Sequence, residues 1–126
     1  MTTTGPRTWT LLLWGDPTLC TDLEAAYAAH ERFAQDCAAQ GHEILGGEEL
    51  QEGSTSRLLR VGDTGPVVTD GPFAETTEQL GGFYLVRTAD PDGLLRLAAP
   101  LVAPGGVGGG TLELRPVAHA AEEVAV

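Results

Sequence analysis

A chain of 126 residues, 42% hydrophobic and 20% charged, has the length and balance of one globular domain. Eighteen acids against seven bases give a formal net charge of −11. Such a surface repels phosphate backbones and anionic lipid, which argues against nucleic acid and membrane as partners, and no stretch approaches the ~20 apolar residues that span a bilayer.

Thr8 to Trp14 is the first predicted strand. Its continuously apolar Leu11-Leu12-Leu13 suits a strand covered on both faces. The run from Trp9 to Trp14 follows Arg7, but it is short for a leader, contains Thr10 and ends in Gly15-Asp16-Pro17 rather than a cleavage site. Without a secretion signal the expected setting is the cytoplasm, with Cys20 and Cys37 reduced. Thr21-Asp22-Leu23-Glu24 matches a capping box and opens a helix predicted from about Asp22 to Gln40. Leu23, Ala26, Tyr27, His30, Phe33, Ala34 and Cys37 recur at three and four and form one face of it. Gly41 is placed to end it at the C′ position.

Glu43 to Gln51 reads as a second strand, with Gly46-Gly47 marking a bulge or a close backbone approach. Arg57 to Val61 and Pro66 to Val68 flank Gly62-Asp63-Thr64-Gly65 as a hairpin with a four-residue loop. Phe83 to Arg87 is the next strand. Asp90-Pro91 then gives an N-cap and a first-turn proline for a helix reaching about Leu101, which Pro100 is placed to shorten. Gly110 to Val117 closes the sequence of elements. Residues 1–7 read as a lead-in, 8–117 as one domain and 118–126 as an acidic tail. The order predicts an α+β fold of the ferredoxin-like β-α-β-β-α-β kind with a hairpin inserted. Two helices cover one face of such a sheet, so Leu12 and Trp14 on the other face call for a second copy of the chain, a homodimer.

Residues 69–86 hold Asp70-Gly71-Pro72-Phe73, then Ala74-Glu75-Thr76 and Glu78-Gln79-Leu80-Gly81-Gly82-Phe83-Tyr84. A polar turn, two carboxylates and a glycine pair set against an apolar strand exceed what packing requires. The stretch resembles the signature of the DGPF branch of the YCII-related proteins. The likeness extends from Trp9 to Val117 and takes in the glycine-pair strand and the closing Leu112-Glu113-Leu114-Arg115-Pro116-Val117. It implies a dimeric α/β barrel in which two sheets face each other, a small-molecule cavity near the loop and no obligatory cofactor. It also implies a His–Asp centre: His30, eleven residues before Gly41, takes the place of the family's helix histidine, and Asp70 is the candidate carboxylate.

An imidazole titrates near neutrality, so His30 reads as a general acid or base, against the alternative of a packed core histidine. Asp70 either orients it or only fixes its own turn through backbone bonds. In that turn Gly71 is expected to supply a positive φ, and Phe73 to anchor the loop in the core. Glu75, Tyr84 and Tyr27, with Phe73, are the expected substrate contacts, while Thr76-x-x-Gln79 reads as the cap of a short helical turn. His42 and His119 read as bland. The glycine run from Gly105 to Gly110 reads as a flexible connection, since neither Lys nor a following helix makes it a phosphate loop. No Cys/His spacing suggests a metal. The functional expectation is a cofactor-independent acid–base enzyme of isomerase, lyase or cyclase type acting on a small organic substrate. The alternative is a non-catalytic dimeric sensor or regulatory partner, for example of an alternative sigma factor, since the resembling proteins are often encoded beside one.

Overall fold

The computed structural model of the chain describes residues 5–74, 76–102 and 110–119. Its main sheet is built from β1 (Arg7–Gly15), β2 (Glu43–Glu49), β5 (Gln79–Thr88) and β6 (Gly110–Pro116), in the order β2-β5-β1-β6. All three pairings are antiparallel. Helix α1 (Leu23–Gln40) carries the chain from β1 to β2, and α2 (Pro91–Ala98) carries it from β5 to β6. This is the ferredoxin-like arrangement. Between β2 and β5 the chain inserts β3 (Arg57–Gly62) and β4 (Gly65–Asp70), a two-stranded sheet of its own.

The alternation of β1 decides which way the sheet faces. Leu11 and Leu13 are buried with Val86 of β5 against Phe33 and Cys37 of α1, Leu94 and Ala98 of α2, and Leu101 in the 3₁₀ turn Ala99–Val102. Pro100 lies in that turn, where the α-helix has already ended. Leu12, one residue out of phase, lies in register with Phe83 on one side and Glu113 on the other, so these three share the face away from the helices. Burial pushes the Cys37 thiol up to about 11, so it packs as a small hydrophobe.

Both helix starts are set by aspartates. The cap of α1 is Asp22, one residue later than the capping box places it; its carboxylate accepts from the Ala25 N–H at 3.0 Å. Asp90 does the same for Gly93 at 3.0 Å, with Pro91 in the first turn as expected. Removing the second cap by Asp90→Ala should cost about 1 kcal/mol in urea unfolding. At the other end of α1, Gly41 takes φ 84° and its N–H bonds to Cys37, the left-handed ending that favours glycine. Buried His42 follows and is satisfied locally: Nδ1 lies 2.7 Å from Thr88 Oγ1, which accepts the Asp90 N–H at 2.9 Å.

Several local expectations are corrected. The buried stripe of α1 is narrower than its periodicity, because only Ala26, Phe33 and Cys37 are buried while Leu23 and Tyr27 are more than half exposed. The hairpin turn is Asp63-Thr64 alone, with Gly62 and Gly65 already paired. Strand β5 starts at Gln79, so no helical turn follows Thr76, whose hydroxyl instead bonds to the Glu78 carbonyl. Gly71 has no positive φ; its need is for space, since a Cβ there would meet the Ser56 side chain. Of the glycine run, only Gly110 falls among the described residues, and the tail leaves them after His119.

Candidate active-site cleft

The first two turns of α1 overhang the corner where β1 ends and β5 begins, and there the sheet is stripped of side chains. Gly82 lies opposite Leu13 on β1 and Glu49 on β2, and Gly47 lies opposite Tyr84. With alternation fixed by buried Leu13, the inner face of this corner therefore reads Gly47, Glu49, Gly82 and Tyr84. Two glycines among four positions leave a hollow between sheet and helix. It is a cleft of about 810 Å³, reaching from Cys20 and Leu23 at the start of α1 to Tyr84. Gly47 is also required by close approach: a Cβ there would strike the Phe83 carbonyl and press on the Tyr84 ring. The bulge that shifts register between Ile44 and Gly46 sets this alignment.

His30 projects from α1 into the cleft, with Nδ1 2.7 Å from the Tyr84 hydroxyl. The Tyr84 ring is held from behind by Phe33, with centroids 5.1 Å apart at 54°. Burial, and then the Cys37 sulfur, raise the Tyr84 pKa above its ordinary value. Tyr84 therefore keeps its proton and we assign it as the donor to Nδ1, which places the proton of a neutral imidazole on Nε2. Burial pulls the His30 pKa down, and the Glu49 carboxylate opposes that shift. Glu49 also accepts from the Tyr27 hydroxyl at 3.1 Å, and this bond raises the Tyr27 pKa.

Replacing Glu49 with Gln removes the charge that, among the described residues, lifts the His30 pKa. The imidazole titration, followed by NMR, should then move to lower pH. An unchanged or raised titration would show that Glu49 does not face His30.

The signature stretch divides into two parts. Its second half, Gln79 to Tyr84, lines the cleft directly. Its first half does not reach His30. Asp70 ends β4 with its side chain 85% exposed, paired with Arg57 across the hairpin at 3.5 Å, and Phe73 is 78% exposed beneath the Arg60 guanidinium, 5.5 Å from the ring centroid. The expected His30–Asp70 pairing and core anchor are therefore corrected: the hairpin turns both residues outward. What the loop does is brace. Gly71 N–H bonds to Ser56 O at 2.7 Å and Gln79 Oε1 accepts the Gly53 N–H at 3.1 Å, which ties the loop to the Gln51–Ser56 turn on the cleft rim. Glu75 lies outside the described residues. Of the expected contacts, His30, Tyr27 and Tyr84 are brought together, and Glu49 joins them unforeseen. Its only signal in the sequence is its place two residues after Gly47, readable once the bulge is known.

A ferredoxin-like sheet with a partly aromatic cleft under its first helix defines a small α+β architecture. The chain belongs to the YCII-related family: residues 9–117 match the model of the YCII-related domain. It is similar to an uncharacterized protein of Rhizobium meliloti (strain 1021), with 48% identity over 52 residues. That match covers 41% of this chain and 41% of the relative, so it spans well under half of either. No helix among the described residues is long and apolar enough to cross a membrane.

Proposed function

We propose that the protein is a cofactor-independent enzyme that moves protons on a small organic substrate bound in this cleft. The observation that carries this reading is the 2.7 Å contact between the His30 imidazole and the Tyr84 phenol on the cleft wall. A phenol donating to a neutral imidazole is a relay. When a substrate C–H gives its proton to the Tyr84 oxygen, the phenolic proton passes to His30 Nδ1, and the imidazolium so formed is stabilised by Glu49. Return of the proton at another position is isomerisation; departure of a leaving group is elimination. Tyr27 holds Glu49 in place, and the wall supplies the apolar surface that small-molecule clefts use for binding.

The test is turnover across a panel of small carbonyl and lactone compounds by the wild type and by His30→Ala. Activity lost in a variant with unchanged circular dichroism supports the relay. Equal activity in that variant overturns it.

The same reading includes a homodimer. Leu12, Phe83 and Leu85 occupy the face of the sheet that no helix covers and are only half-buried in the single chain, with Trp14 donating to Glu113 beside them at 3.1 Å. A second sheet laid on this face would bury them. The chain is expected to run as twice its mass in light scattering, and Leu12→Glu to run as a monomer.

A further inference from the structure

The charge of the cleft is one-sided. Its wall and rim include the acids Asp16, Glu49 and Glu52, while the side chain of Glu48 alternates to the other face of the sheet with Phe83. That of Glu49 turns inward, since it accepts from Tyr27 and acts on His30. No arginine lines the cleft. Nor is one held back elsewhere: residues 1–4, 75, 103–109 and 120–126 contain no Arg or Lys, so every one of the seven bases lies among the described residues. Arg32 is paired with Asp36, Arg57 with Asp70, and Arg115 with Glu113. Arg7 lies against Trp9 and Arg60 against Phe73. Arg87 sits on the far half of β5, and Arg96 on α2.

We propose that the substrate of this cleft is a cation: an organic amine, or another compound with a positively charged nitrogen, on an apolar or aromatic body. This deepens the acid–base reading of the same cleft and rests on it. An anionic ligand would give up its hydration beside carboxylates with no cation to replace it, whereas a cation is drawn in by the same field. The rings of Tyr27 and Tyr84 offer faces that attract a positive nitrogen. When a C–H bond breaks, its proton goes to the Tyr84 oxygen as the phenolic proton moves to His30, and the electron pair stays on carbon. No arginine stands in the cleft to stabilise that negative charge, and the imidazolium formed on His30 is already offset by Glu49, so a positively charged nitrogen adjacent to the reacting carbon is the stabilisation this lining favours.

The experiment uses three probes that share a phenylethyl body and differ in their head group, 2-phenylethylamine, 2-phenylethanol and 3-phenylpropanoate. Their binding to the full chain is measured by calorimetry, and their location by NMR shifts of His30. The amine is expected to bind roughly ten-fold or more tightly than the carboxylate at low salt, a margin typical of opposed against like charge in a half-open site. That margin should shrink several-fold in Glu49→Gln, and likewise in Glu52→Gln, which serves where the first variant disturbs the wall. A carboxylate that binds as well as the amine, or a margin indifferent to both substitutions, overturns the proposal. Should the alcohol match the amine while shifting His30, the choice of cation falls and the acid–base cleft stands. If no probe shifts His30, both fall.

Discussion

Phe33→Ala is expected to destabilise the fold by about 3–5 kcal/mol, the cost of truncating a fully buried aromatic in a core that only partly collapses around the loss. Phe33 is 2% exposed and packs where α1 crosses the sheet, against Leu11, Leu13 and Val86 on one side and α2 on the other. Its ring also backs Tyr84 at 5.1 Å, so the effect reaches beyond stability. With that support gone, the Tyr84 phenol is no longer held in line with His30. Denaturant unfolding measures the first effect through a lower midpoint at an unchanged slope. NMR measures the second, because the His30 titration depends on how deeply the pair is buried. A loss below 1 kcal/mol would mean that Phe33 does not carry the core. Phe33→Leu should recover much of the stability, since it restores most of the volume, and little of the Tyr84 alignment, since it restores no ring.

The parts of this fold legible in the sequence are those written in local chemistry. Asp90-Pro91 and Gly41 carry their meaning in side chains and backbone freedom, so α2 began and α1 ended where the residues said. Three strands of the main sheet are legible as apolar or alternating runs and β2 only through Ile44-Leu45 beside its glycine pair, and the order of elements follows from their alternation with two helices. What escaped was decided by tertiary geometry. Phe73 reads as an anchor on any hydrophobicity scale, yet it lies at the end of a hairpin that contacts mainly itself, where Arg60 is its neighbour. Asp70 reads as a catalytic carboxylate by its motif, but β4 carries it outward to Arg57. Glu49 reads as one surface acid among eighteen. Only the bulge before Gly46 and the pairing with Gly82 turn it to the inner face, and neither can be counted out from one strand alone. The exposure of Leu23 and Tyr27, a miss for the helix periodicity, is itself the mark of the cleft they overhang.

His30→Ala is expected to lower turnover by roughly 10²–10⁴, the range a positioned general acid or base contributes, while stability changes little because the ring is only half-buried at the cleft wall. Tyr84→Phe keeps the ring on Phe33 and removes the hydroxyl. Its loss should approach that of His30→Ala if the phenol is the atom that meets the substrate, and the double variant should then be little worse than either single one. The pH dependence separates this relay from a merely structural contact. Burial lowers the His30 pKa below 6.5, so the neutral imidazole persists further into acid than an exposed one and the acid limb of kcat/KM should fall below 6.5. Glu49→Gln removes an opposing influence and should move that limb lower still. Stability follows the same sign. Above pH 6.5 the group is neutral in both folded and unfolded chains and contributes nothing to the difference. As pH falls from 6.5 towards the depressed folded value, the unfolded chain binds the proton more readily and stability is lost. In His30→Ala that segment of the acid-side decline should flatten. A decline that stays as steep would assign the loss to other groups and would leave the lowered pKa of His30 without support.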